Sequence, residues 1–247
     1  MDRRTLRALA VAGTAVAGLS AASAGAARAD VTPSFIAPAG SASVSPAVTG
    51  TDPFYGGYTS APANGISSAG GSFIVPSVTC PVDAVNILGE AVYDSNGELS
   101  GGAGVVINCS GGTPAYSLLA QTTNAVTQGP VSPGDRVVVA DAVSSTNTVA
   151  KVIDETSHFR ARAADGAPEA SGAPSASFNV GIFNDSGTTA DYGTATFQGN
   201  QVNGKHLGQL HPTALDNEPG ADVQSTAGPV TPAATGLKFV LTFTNAT

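Results

Sequence analysis

The amino-acid sequence predicts an all-β protein folded as an antiparallel two-sheet β-sandwich. Short runs of β-branched or alternating residues recur along the chain, and clusters of Gly, Pro, Asn, Asp and Ser separate them. Beyond residue 29 no stretch keeps helical periodicity over three turns, which removes the helical classes.

The chain opens with Arg3, Arg4 and Arg7, then an Ala/Val/Gly/Leu run from Ala8 to Ala22, then Ala27-Arg28-Ala29 before Asp30. That order reads as a secretory signal peptide over 1–29, cut at a small-x-small site. Arg3-Arg4 leaves the twin-arginine and general secretory routes equally open. The apolar run is shorter than the roughly 20 residues that cross a bilayer, so no membrane span is expected. Residues 30–53 are rich in Pro, Ser, Gly and Ala without periodicity and read as an extended leader. The sandwich is expected over 54–247.

Within it the strand runs are "GSFIVPSV", "AVNILGEAVY", "GVVIN", "AYSLLAQT", "DRVVVADAV", "TVAKVID", "HFRARA", "SFNVGIF", "GTATFQG" and "LKFVLTF". In the last, Leu237, Phe239, Leu241 and Phe243 alternate with Lys238, Val240 and Thr242, a strand with one face on a core. Asn96-Gly97 within "DSNGE" signals a hairpin turn. The stretches 183–193 and 207–235 read as long surface connections.

Removal of the signal peptide leaves six basic and seventeen acidic residues, a net charge of −11. Such a chain repels phosphate backbones, so nucleic acid is excluded as a partner. Cys80 and Cys109 are the only cysteines, and in an oxidising compartment they are expected to pair. His206 and His211 have no acidic or cysteine neighbours at ligand spacing, so neither a metal nor another cofactor is expected. Ser157 and His158 are adjacent but lack any G-x-S-x-G element, and a serine-hydrolase site is not read here. His158, Arg160 and Arg162 alternate with Phe159, Ala161 and Ala163, giving a basic stripe on an acidic protein.

Five motifs then follow in order: "YGGY" at 55–58, "GSFIVPSVTCP" at 71–81, "CSGGTPAY" at 109–116, "PVSPGD" at 130–135 and "DYGTATFQGNQVNG" at 191–204. Their succession resembles the eqolisins, the secreted glutamic peptidases, over about 54–204. The resemblance implies a concanavalin-like sandwich with a groove on its concave face. There a Gln and a Glu on neighbouring strands activate a water against a peptide carbonyl, the Glu as base and then acid and the Gln as oxyanion donor.

Carried over by motif, the family's Gln falls on Gly102 and its Glu on Gly181. No shift of register supplies them, since there is no Gln from Met1 to Ala120 and no Glu between Glu169 and Glu218. The family's aromatic run matches "AYSLLAQTTNA", which keeps Tyr116 and puts Gln121 where the family has Glu. The chain has no Trp. Tyr116, Gln121 and Asp185 are the remaining groove candidates. Glu90, Asp94 and Glu98 read as solvated acidic residues near turns.

The expected function is therefore a secreted, proteolytically inactive binding or surface module, with an extracellular peptide or glycan as partner. Two alternatives stay open: a peptidase with rebuilt catalytic residues, and a purely structural exported protein.

Overall fold

A computed structural model describes residues 50–80, 83–165, 175–184, 188–218, 223–231 and 237–244. The signal peptide, leader residues 30–49 and Asp185 lie outside them. The described chain is nearly all strand. In order these are β1 (Gly50–Asp52), β2 (Tyr55–Ser60), β3 (Ser68–Ile74), β4 (Val85–Asp94), β5 (Leu99–Asn108), β6 (Ala115–Thr122), β7 (Val126–Pro130) and β8 (Arg136–Ser144). There follow β9 (Asn147–Asp154), β10 (Arg160–Asp165), β11 (Ser175–Asn184), β12 (Thr194–Val202), β13 (Lys205–His206), β14 (Thr213–Asn217), β15 (Ser225–Ala227) and β16 (Lys238–Phe243).

One continuous hydrogen-bonded path runs β10-β9-β8-β3-β12-β16-β15-β14-β2-β11-β4-β5-β6-β7. It folds over at β15, so that β5 packs across β8 and β9, and β6 across β9 and β10. Two antiparallel layers result, bent toward a barrel where β10 approaches β7. The main core fills the space between them. Phe197 stacks on Phe239 at 4.9 Å, Phe73 leans on Phe197 at 5.2 Å, and Tyr58 meets Phe239 edge-on at 5.0 Å. Phe239 and Leu241 face this core and Phe243 packs against its edge, as the alternation of the last run predicts, while Leu237, just before β16, is 40% exposed. The turn at Asp94–Glu98 closes the β4–β5 hairpin, with Gly97 at φ 81 and the Asp94 carboxylate accepting from the Asn96 and Glu98 amides at 2.8 and 2.9 Å.

Cys80 and Cys109 form a disulfide. Closing a loop with a sequence separation of 29 stabilises the fold by about 3 to 4 kcal/mol in the chain-entropy account. It ties the segment after β3 to the end of β5.

Three sequence expectations need correction. The leader does not run to residue 53, because Gly50–Asp52 pairs in parallel with β14. The 207–235 run is not one surface connection: Leu207 is buried, and β14 and β15 close the sheet path. The described residues of 183–193 are not surface loop either, since Phe183 and Asn184 belong to β11 and Thr189, Ala190 and Tyr192 are buried. Polar side chains make this burial tolerable by accepting from the buried amides of the segment. The Ala190 amide donates to the Asn86 side chain (2.9 Å), the Thr189 amide to Gln224 (2.7 Å), and the Thr189 hydroxyl to Asn217 (2.8 Å).

Candidate functional site

The positions that the resemblance marks for chemistry lie on the layer β2-β11-β4-β5-β6, on the face turned away from the main core. Strand alternation puts residues of equal parity on one face, and the register lines them up in rows. One row reads Gln121, Gly102, Ala91, Asn179, Thr59 across β6, β5, β4, β11 and β2. The next reads Leu119, Gly104, Gly89, Gly181, Gly57, ending at Leu215 of β14. The third reads Ser117, Val106, Ile87, Phe183, Tyr55.

Four glycines on four adjacent strands leave no room for side chains. A Cβ on Gly181 would run into the Gly56 carbonyl oxygen and come within 2.8 Å of the Gly57 Cα. A Cβ on Gly57 would strike the Val180 carbonyl, one on Gly89 the Ala103 carbonyl, and one on Gly104 the Leu88 carbonyl. The strands have closed on each other here, the use that glycine in a strand interior serves. Gly57 adds a backbone angle, φ 146, that other residues rarely adopt.

Around this crease the face is filled. Tyr55, Ile87, Ala91, Tyr93, Val106, Leu119 and Phe183 form a second buried cluster, none more than 3% exposed. The Tyr55 ring lies 5.0 Å from that of Phe183. Its hydroxyl sits 2.7 Å from the carbonyls of both Tyr58 and Val180 and donates over the glycine row. Burial holds the Tyr55 and Tyr93 hydroxyls well above the usual tyrosine range. The Asn179 amide faces the Tyr93 hydroxyl and partly offsets that.

Of the sequence candidates, Gln121 does stand on this face, half buried at its margin. It is three strand spacings, about 14 Å, from Asn179, too far for the two amides to act on one atom. Tyr116 has the opposite parity: it packs against the main core, and its hydroxyl accepts from the Val78 amide at 2.9 Å. No Asp, Glu or His stands in the three rows. The charge of Asp52 reaches Tyr55 and Tyr93, but that carboxylate already accepts from the Phe54 amide at 2.8 Å.

Carboxylates appear instead on the other side of the same layer. Glu90 is not a solvated turn residue but fully buried in the main core, between Ala103 and Val180 of the flanking strands. Across the gap Asp141 of β8 is 2% exposed, between Ala69 and Ala150. None of their four carboxyl oxygens accepts a hydrogen bond from the described residues. Burial pushes both carboxyls well above the ordinary range, and Asp141 raises Glu90 further. The small neighbours Gly101, Ala103 and Ala150 make the space. The sequence hid this pair because β4 is apolar on both faces, so alternation does not tell which way Glu90 points. Asp94 is likewise buried, as the cap of its hairpin.

Ser157 donates directly to Asp154 at 2.5 Å, while His158 sits exposed in a left-handed turn at φ 62, so no Ser-His-Asp relay forms. Among the described residues no three His, Cys, Asp or Glu side chains gather as a metal site, and no helix is long and apolar enough to cross a membrane.

Two packed antiparallel layers, one bearing an outward face built on five strands, define a β-sandwich. The Peptidase A4 family, the eqolisins, matches residues 53–229, and the chain belongs to it. Among solved structures, scytalido-glutamic peptidase with a peptide-based transition-state analogue superposes with a TM-score of 0.61 at 13% identity, covering 77% of this chain and 98% of that one. SCP-B, a member of the eqolisin family in complex with the tripeptide Ala-Ile-His, gives 0.59 at 14% identity over the same shares. No curated protein matches the sequence.

Proposed function

We propose that this chain is an exported, non-hydrolytic eqolisin that uses the sandwich as a scaffold for binding. The observation that carries this reading is the closed glycine row Gly57–Gly181–Gly89–Gly104. If the family's Glu position is Gly181, as the motif order implies, the backbone there accepts no side chain at all. Gly102, at the family's Gln position, lies one row away beside Ala91, and among the described residues no Asp, Glu or His stands in the three rows of this face. A general acid/base group contributes on the order of 100- to 10,000-fold, and losing the carboxylate and the amide donor together removes the means of activating a water.

The filled face around Tyr55, Tyr93 and Phe183 also weighs against binding in the family's groove, which moves the search for a partner to other surfaces. Export follows from the signal peptide read over 1–29, and the Cys80–Cys109 disulfide suits an oxidising compartment.

The test is incubation of the purified protein with an unfolded protein substrate from acid to neutral pH, with new peptide termini followed by mass spectrometry. No cleavage by the folded protein is expected. Cleavage that disappears in Gln121→Ala would overturn the reading and place Gln121 in a rebuilt site.

A further inference from the structure

Beyond position 29 the chain has six basic residues, and five of them stand on one surface. This is the outward face of the second layer, β10-β9-β8-β3-β12-β16. The register gives one row of Gln201, Gly70, Ala140, Lys151, Arg162 and another of Lys238, Gln198, Ser72, Val138, Ile153, Arg160. Arg136 stands beside the second row, on β8. Lys151, Arg160, Arg162 and Lys238 are exposed, as are Gln198 and Gln201.

Among the described residues only Arg136 has an acidic partner, Glu155 at 3.0 Å. Lys151 and Arg162 are direct cross-strand neighbours on the same face, an arrangement of like charges that weakens a sheet. A chain with seventeen acidic residues beyond position 29 has ample means to neutralise them, yet none of the described ones pairs with either. Of the acidic residues on this layer's own strands, Asp141, Asp154 and Asp165 are buried on its inner side, and Glu155 beside it is taken up by Arg136. The face is therefore locally positive on an acidic protein.

We infer that this face docks a carboxylated polysaccharide. Its cations are sparse and interleaved with exposed amides (Gln198, Gln201) and with alkyl surface (Ala140, Val138, Ile153). That mixture meets the carboxylates, the hydroxyls and the C–H faces of a sugar chain in turn. A sheet face offers side chains and no backbone hydrogen bonds, so an extended acidic peptide gains no ladder there. The rows contain no aromatic side chain on which a nucleic-acid base could stack. The inference rests on the protein being a binding module and does not depend on the loss of hydrolysis.

The experiment measures binding of the purified protein to polygalacturonate, with dextran and poly-glutamate as comparison polymers, between about 20 and 500 mM salt. Binding to polygalacturonate that weakens as salt rises, with no binding to dextran, is expected. Lys151→Gln/Arg162→Gln should weaken it at least tenfold, and Arg160→Gln several-fold. All three changes are on the surface, so an unchanged circular dichroism spectrum and melting temperature keep the comparison valid. Absence of binding, or binding that the substitutions leave unchanged, overturns the inference. Equal affinity for poly-glutamate overturns the sugar assignment in favour of an acidic peptide. A protein that neither cleaves nor binds polygalacturonate keeps the non-hydrolytic reading and loses this one.

Discussion

The two faces of the layer β2-β11-β4-β5-β6 solve opposite problems with neighbouring residues. On β4, Gly89 and Ala91 turn outward to the face that the motif resemblance marks for chemistry, while Glu90 between them turns inward to the sandwich core. Among the described residues the outward rows hold no Asp, Glu or His, and their strands close on a row of glycines. The inward side holds two carboxyls, Glu90 and Asp141, that no substrate reaches. Reactive groups are thus present in the molecule and sequestered. What separates a catalytic carboxylate from a buried one here is a single step of strand parity.

The largest expected effect tests whether the outward face is closed or merely unoccupied. Gly181→Ala must push β11 away from β2, because the new methyl meets the Gly56 carbonyl and the Gly57 Cα. Overpacking between backbones that cannot yield should cost about 3 kcal/mol or more, read from denaturant unfolding. A loss below about 1 kcal/mol would mean that the strands part easily. Gly181 would then be an accessible position, and the contrast between the faces would fail.

The inward face makes a smaller, pH-dependent prediction. In the unfolded chain the two carboxyls ionise near their ordinary values, 4.5 for Glu90 and 3.8 for Asp141. In the folded protein burial keeps them protonated to higher pH. The stability tied to the neutral pair is therefore complete below pH 3.8 and is lost as pH rises toward the folded values. Asp154 works the other way: burial would raise it, but hydrogen bonds from Ser157 and the Thr156 amide outweigh this and lower it. Its contribution is present above its unfolded pKa and is lost as pH falls through the lowered value, in wild type and variant alike. Glu90→Gln/Asp141→Asn should thus gain on the wild type between about pH 4 and pH 8 by more than about 1.4 kcal/mol, the worth of one pKa unit. Parallel curves would show that the carboxyls are ionised or hydrated in the folded protein.

These features differ in how far the sequence reveals them. The alternation in "LKFVLTF" is visible because one side of β16 faces a core and the other faces water. The Asn96-Gly97 turn and the disulfide are legible because each depends on local chemistry or on having only one possible partner. The glycine row is invisible in one dimension: Gly57, Gly89, Gly104 and Gly181 belong to four separate runs, and only the register brings them side by side. The inward turn of Glu90 is hidden because β4 is buried on both faces, which erases the alternation that would orient it. The strand β14, "TALDN", reads as loop because it lies in a run, 207–235, with four prolines, three glycines and no apolar periodicity. In the fold its polar residues are engaged, Asn217 with Thr189 and Asp52 and Asp216 with the Ala227 amide.

The smallest expected effect calibrates the largest. Gly111 has φ 70, and nothing lies within 4 Å of the position its Cβ would take. Gly111→Ala therefore isolates the cost of holding an ordinary residue in the left-handed region, about 1 kcal/mol, free of any clash. Gly181→Ala should exceed it about threefold by the same unfolding measurement, because the closure of β11 on β2 adds to the strain of its own positive φ of 159. If the two substitutions cost the same, the glycines of the outward face are there for backbone conformation alone. The row would then be a flexible floor, and the argument that no side chain can return to it would lose its footing.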